Sequence, residues 1–282
     1  MIVMTNDVKN MHLAFIGCGV MGESMIAGLL RKGIVEPQKV WASHPRAARR
    51  EELSEKYGIE VFDENAEAAR AACAHETSAI VLCIKPQRVA KVVADLEGVL
   101  HPNDLVISIV AGARIEQLAG SLGTAKIVRA MPNTPSQIGA GITAWTCTEA
   151  VAQEDRVHIR EVLSALGKEL FVETENMIDM ATSLSATGPT YVFMVMEALT
   201  DAGVHLGFSR DMAKELVQET MLGSVKFAME SHKHPAELRN MVTSPGGTSA
   251  AAIYQMEKGA LRTVLSKAVY AAYKRAAALG DK

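Results

Sequence analysis

What this sequence lacks narrows it first. Its four cysteines, Cys18, Cys73, Cys83 and Cys147, form no C-x-x-C pair and show no zinc-ligand spacing. No metal is therefore expected, and the thiols are expected to be free, in a reducing cytoplasm. No apolar run approaches the roughly 20 residues of a membrane span, so no membrane partner is expected. Neither sign of charge is in excess: 29 Lys and Arg against 32 Asp and Glu leave a net charge of -3, which argues against a general nucleic-acid binder. The stretch Met1 to Asn10 has no sustained apolar core and contains Asn6 and Asp7, so residues 1–10 read as a short flexible extension and not as a signal peptide. With 49% hydrophobic residues over 282 positions, the chain has material for a sizeable core and two domains of ordinary size.

The second half also lacks strands. Up to about Glu175, short apolar runs alternate with helical ones. Strands are expected at Leu13–Ile16, Val40–Ala42, Ala79–Ile84, Leu105–Ile109 and Lys126–Ala130, with Ile142–Thr146 and Glu169–Val172 extending the sheet. Helices are expected at Val20–Arg31, Ala47–Tyr57, Glu64–Ala72, Gln87–Asp95, Ile115–Ala119 and near Gln153–Leu166. This is a doubly wound α/β pattern of the Rossmann type. After Glu175 only helical runs remain: one opened by Gly188-Pro189, one capped by Ser209 and running to about Ser231, then Ala236–Val242, Ser249–Glu257 and Leu261–Leu279. The expected division is an α/β domain over residues 1–175 and an all-α domain over 176–282. The run Tyr191–Met196 is apolar on every face. Such a helix must be enclosed, and a domain this small can hardly do so alone, so a surface shared with a second subunit is expected.

The chain is organised around Phe15-Ile16-Gly17-Cys18-Gly19-Val20-Met21-Gly22. It follows an apolar strand, opens an amphipathic helix and has G-x-G-x-x-G spacing. Gly17 permits the tight turn, Gly19 lets a pyrophosphate approach the backbone, and Gly22 lets the helix pack close to its strand. The exposed amides around Val20 and Met21, at the positive end of the helix, would face the phosphates.

No carboxylate stands at the end of the second strand, where an enzyme preferring NAD bonds the ribose 2′-OH. Ser43-His44-Pro45-Arg46 stands there instead. A hydroxyl and a guanidinium fork suit a 2′-phosphate, so NADP, with NADPH as preferred reductant and NADH as a possible one, is the expected cofactor. Three further loops fall at strand ends. Lys85 and Pro86 reach toward the nucleotide, Ala111 sits among small residues that let a flat ring lie close, and Asn133 offers donor and acceptor to a ligand amide.

A second glycine loop, Met241 to Ser249, joins two helices without a base or a charged group. Its hydroxyls and helix N-terminal amides suit a small carboxylate, though on this stretch alone it reads rather as a capped helix–helix turn.

Taken together, the glycine loop with Met21, Lys85-Pro86-Gln87, Arg129 to Pro135, Leu184 to Pro189, and above all Pro235 to Glu257 around Thr243-Ser244-Pro245-Gly246-Gly247 make the chain resemble pyrroline-5-carboxylate reductase over nearly its whole length. Two positions depart from the family: Ser249 stands where threonine is usual, keeping the hydroxyl with a less restricted rotamer, and Thr187 stands where a smaller residue such as serine is common. The resemblance implies a helical dimerisation domain after the Rossmann domain, assembly as a homodimer or a ring of dimers, and NAD(P)H-dependent reduction of the imine of Δ1-pyrroline-5-carboxylate to L-proline, the last step of proline synthesis. On that reading hydride comes from nicotinamide C4, Ser249 hydrogen-bonds the imine nitrogen, and Ser244 with the amides of Gly246, Gly247 and Thr248 holds the carboxylate.

Two other readings stay open. One is a β-hydroxyacid dehydrogenase-like oxidoreductase; it would use a lysine on a helix of the second domain, and none occurs between Pro189 and Lys214. The other is an NADP-binding redox sensor that turns over no substrate.

Overall fold

The computed structural model describes residues 10–280. The extension expected over residues 1–10 lies, apart from Asn10, outside the described residues. Eight strands form one sheet: β1 (His12–Ile16), β2 (Val40–Ser43), β3 (Glu60–Phe62), β4 (Ser78–Leu82), β5 (Leu105–Ser108), β6 (Lys126–Met131), β7 (Gly141–Cys147) and β8 (Gly167–Phe171), in the order β3-β2-β1-β4-β5-β6-β7-β8. All neighbours are parallel except β6 and β7. The connection 132–140 explains that exception, because it is shorter than the dozen or so residues a parallel crossover needs. From β1 the chain first builds outward to β2 and β3, then returns to lay β4 on the other side of β1. Ligands gather at such a switch point, beyond the carboxyl ends of the strands.

Side-chain alternation divides the core into two layers. Leu13, Phe15, Ala79 and Val81 face one side with Met25, Ile26 and Leu29 of α1 (Val20–Arg31), Leu53 of α2 (Ala47–Tyr57), and Ile159, Val162 and Leu163 of α6 (Gln153–Ser164). Ala14, Ile16, Ile80 and Leu82 face the other, with Ala68, Ala69 and Ala72 of α3 (Asn65–Cys73), Val92 of α4 (Val89–Asp95), and Leu118 and Leu122 of α5 (Ile115–Leu122). The sheet is thus doubly wound, as the alternation in sequence implies.

Two elements differ from the sequence expectation. Strand β3 has three residues, begins with exposed Glu60 and lies at the sheet edge, where too few positions exist for a period to show. Helix α7 (Glu175–Ala181) continues into a single π-helical turn over Thr182–Ala186, and both precede the helix expected at Gly188.

The chain divides into two compact units, one up to Thr187 with the residues from Ala272 onward, the other Gly188–Ala271. The second is built from α8 (Gly188–His205), α9 (Arg210–Ser231), α10 (Pro235–Met241), α11 (Thr248–Lys258) and the first part of α12 (Leu261–Gly280). Ser209 caps α9, its hydroxyl accepting from the Met212 N–H at 3.3 Å. Helices α8 and α9 touch closely where Gly203 faces Ala213, with space for no further Cβ. None of α8 is buried within the single chain: Phe193 and Met194 are 56% and 65% exposed.

Candidate active site

The turn after β1 is built by three glycines with separate tasks. Gly17 has φ 73°, and a Cβ there would run into Ile84 Cγ2, so both conformation and space demand glycine. Gly19 caps α1; a Cβ there would meet only the Gly17 carbonyl oxygen, at 3.9 Å, which leaves an open cradle above the first turn of the helix. Gly22 is buried against Cys18 and Cys83, both within 3.2 Å of where a Cβ would sit. Val20 is 62% exposed and Met21 half-buried beside it. Burial pushes the Cys18 thiol up to about 12 and the Cys83 thiol well above its ordinary value, so both are packing groups under the loop.

Ser43 lies elsewhere than expected for a phosphate ligand. It is 0% exposed; its hydroxyl accepts the Gly17 N–H at 3.1 Å and donates to Asn65 Oδ1 at 2.7 Å, while Asn65 Nδ2 donates to Asp95 Oδ2 at 2.8 Å. Fully buried, with its one donor given to Asn65, Ser43 holds the glycine turn in place. Asn65 and Asp95 carried no signal in the sequence, since neither belongs to a motif.

The cations after β2 sort themselves by partner. Arg49 pairs with Glu23 and Glu52, and Glu23 also accepts from Lys56 at 2.9 Å and Tyr57 at 2.8 Å. Burial opposes the Glu23 charge, but hydrogen bonds from Lys56, Arg49 and Tyr57 outweigh it and hold its pKa down at about 2. Arg50 donates to the His44 carbonyl at 3.0 Å. Burial, then the Arg46 guanidinium, lowers the His44 pKa, and His44 Nδ1 accepts the Arg46 N–H at 3.2 Å. Arg46 itself stands exposed at the N-cap of α2.

Lys85 is exposed at the cap of the 3-10 turn Pro86–Arg88. Ala111 is half-buried in the loop after β5. Asn133 is partly committed: its Oδ1 accepts the Ile142 N–H at 3.0 Å, which leaves the Nδ2 donor for a ligand. These positions follow β1, β2, β4, β5 and β6, on the edge where the strand order reverses.

Arg129, four residues before Asn133, enters the sequence reading only as the start of the stretch Arg129 to Pro135, with no role of its own. It is 1% exposed, pairs with Glu175 at 2.9 Å and Asp179 at 2.6 Å, and ties β6 to α7. An arginine inside the apolar run Lys126–Met131 was the signal that it is engaged within the core.

The loop 243–249 belongs to the helical unit. The Gly247 N–H donates to the Ser244 carbonyl at 3.0 Å across Pro245 and Gly246, and Gly246 has φ 70°, which makes a type II turn. Thr243 Oγ1 donates back to the Arg239 carbonyl at 2.6 Å. Gly247 caps α11 with no side chain, so the first-turn amides of Thr248 and Ser249 have no intrahelical acceptor. Ser244, Gly246 and Thr248 are exposed, and Gly247 and Ser249 half-buried. Among the described residues no group of three or more His, Cys, Asp or Glu could hold a metal, and no helix is long and apolar enough to cross a membrane.

A glycine-turn nucleotide cradle on a doubly wound sheet, followed by a helical unit whose polar loop holds no acid or base, defines a dinucleotide-dependent oxidoreductase. Residues 12–112 match the family model described as NADP oxidoreductase, coenzyme F420-dependent, and residues 175–279 match that described as pyrroline-5-carboxylate reductase dimerisation. The chain is 37% identical to the pyrroline-5-carboxylate reductase of a Synechocystis species, over 97% of this chain and 100% of the relative. Its fold is similar to a pyrroline-5-carboxylate reductase from Coxiella burnetii (34% identity, TM-score 0.86, 96% and 98% of the two chains). It is likewise similar to pyrroline carboxylate reductase from Plasmodium falciparum with NADP bound (30% identity, TM-score 0.87, 97% and 99%). The chain belongs to the pyrroline-5-carboxylate reductase family.

Proposed function

We propose that this chain reduces the imine of Δ1-pyrroline-5-carboxylate to L-proline with NADPH, as a cytoplasmic homodimer or ring of dimers. The observation that carries the reading is full-length family membership together with a polar loop at Thr243–Ser249 that offers hydroxyls and free amides and no ionisable group. NADP fits the residues present: the cradle above Gly19 is open, the first-turn amides of α1 at Val20, Met21 and Gly22 border it, and no carboxylate follows β2. Gly17, Gly19 and the α1 amides would hold the pyrophosphate, and Arg46 the 2′-phosphate. Lys85, Pro86, Ala111 and the Asn133 Nδ2 donor would border the ribose and nicotinamide.

When bound, the reduced cofactor supplies the hydride. The protein supplies position and electrostatics. Ser244 and the Gly246, Gly247 and Thr248 amides bind the substrate carboxylate, and the Ser249 hydroxyl bonds the imine nitrogen. No strong acid stands in this loop, so the imine binds already protonated. The exposed apolar surface of α8 supports self-association, since leaving Phe193 and Met194 in water wastes their transfer energy. The four free thiols agree with a reducing compartment.

The test is loss of nicotinamide absorbance with purified protein and Δ1-pyrroline-5-carboxylate, with NADPH and then NADH. Turnover faster with NADPH is expected. Nucleotide binding without turnover of the imine would overturn the reading.

A further inference from the structure

The last turn of α12 fastens the loop expected to border the nicotinamide. Residues from Ala272 belong to the same compact unit as the sheet, and they end on the segment after β5. Gly112 has φ 77°, and a Cβ there would lie 2.8 Å from both the Cβ and the carbonyl carbon of Leu279. Arg114 Nε donates to the buried Gly280 carbonyl at 3.1 Å, and the Tyr273 hydroxyl donates to Asn176 Oδ1 on α7 at 3.1 Å. The far side of the same segment is tied to α7 as well: Glu175 Oε1 accepts the Ile115 N–H at 2.8 Å while pairing with Arg129 at 2.9 Å.

The loop's own fastenings are weaker. The Ala113 N–H reaches the Val110 carbonyl, and the Val110 N–H the Ser108 hydroxyl, each only at 3.3 Å. Beside it lies a cleft of about 330 Å³ between Pro86, Gln87, Ala111, Gln117, Arg275 and Leu279.

We infer that Leu279 and the Gly280 carbonyl, through Gly112 and Arg114, are positioning groups that set the Ala111–Ala113 loop against the nicotinamide. The inference rests on the function proposed above. Position errors on the order of 1 Å cost about a hundredfold in rate where two reactants must be aligned, so a partly loosened loop should be visible in kcat.

The test compares Leu279→Ala, Arg114→Met and Arg114→Lys with the parent. Amide exchange over residues 109–115 is read in the nucleotide-free protein, and kcat, KM, NADPH affinity and the melting midpoint alongside it. L279A and R114M are expected to speed exchange there by about tenfold or more, the mark of a local opening equilibrium. They should lower kcat by roughly fivefold or more, with KM for the imine, NADPH affinity and the midpoint little changed. R114K, which keeps a donor for the Gly280 carbonyl, should restore most of both. Unchanged exchange and kcat in L279A and R114M would overturn the inference, as would losses that follow the melting midpoint alone. If the parent reduces no imine, the proposed function fails by itself, and the exchange data still decide whether the last turn holds the loop.

Discussion

The Ser43 hydroxyl accepts the amide of Gly17 at 3.1 Å, across the gap between β2 and the turn after β1. A fully buried side chain thus holds the first glycine of the nucleotide loop, and Asn65 holds the side chain in turn. Ser43→Ala leaves the Gly17 N–H and Asn65 Oδ1 without this partner, at a cost of about 1–3 kcal/mol. The expected result is a lower melting midpoint together with weaker NADPH binding, read by calorimetry and by fluorescence titration. A loss of nucleotide affinity with stability unchanged would mean that the hydroxyl meets the ligand after all.

Arg46 should discriminate between the two reductants. Arg49 and Arg50 are engaged with protein groups, and Arg46 stands exposed at the start of α2. Charge-assisted bonds to a 2′-phosphate carry about 1.5–3 kcal/mol, so Arg46→Ala should raise KM for NADPH by at least about tenfold. KM for NADH, which has no such phosphate, should stay within about twofold. Steady-state kinetics with both reductants check this.

Glu23 makes stability depend on acid pH. Its folded pKa is about 2 against an ordinary 4.5. A depressed carboxylate contributes stability that is whole above its unfolded value and is lost as pH falls through the folded value. The gap in melting midpoint between the parent and Glu23→Gln should therefore be widest above pH 4.5 and close as pH approaches about 2. A gap that is constant across that window would show that the charge contributes nothing.

Arg129 and Asp179 are buried together, at 1% and 3% side-chain exposure. Asp179→Ala strands a buried guanidinium on Glu175 alone, at a cost of about 3–5 kcal/mol. Replacing both partners by apolar residues, Arg129→Met with Asp179→Leu, should cost less than the single change. Denaturant unfolding of the three proteins gives the answer.

Ser249 should matter to turnover. A hydrogen bond to a charged group, here the protonated imine, is worth about 1.5–3 kcal/mol, so Ser249→Ala should lower kcat/KM for the imine by about tenfold or more, with NADPH affinity unchanged. Ser249→Thr keeps the hydroxyl and should retain the parent rate. Retention of kcat/KM within about twofold by the alanine variant would remove Ser249 from the mechanism.

Much of the frame was legible in the residues because local chemistry dictates it. The bounds of α1, Val20–Arg31, follow from the glycine turn before it and its apolar period, and α8 begins at Gly188, where a proline suits the first turn. Strand β3 was not legible because three residues at a sheet edge carry no pattern. The antiparallel turn into β7 was implicit in the short 132–140 connection. In the loop 243–249, the Pro245-Gly246 pair already specified a type II turn.

The sequence by itself determined the order of elements, the doubly wound sheet, the glycine cradle and the unshielded apolar helix α8, since each depends on propensities and periods within a few residues. Only the tertiary structure decided which polar groups are engaged inside the protein. Ser43 could have met a phosphate but is spent on Gly17 and on Asn65, 22 residues away. Arg129 could have been a ligand but is bound to carboxylates 46 and 50 residues later. Leu279 and Gly280, at the end of the last helix, reach back to the loop after β5. A buried donor must find its acceptor wherever the fold brings one, and no local pattern in the chain records that distance.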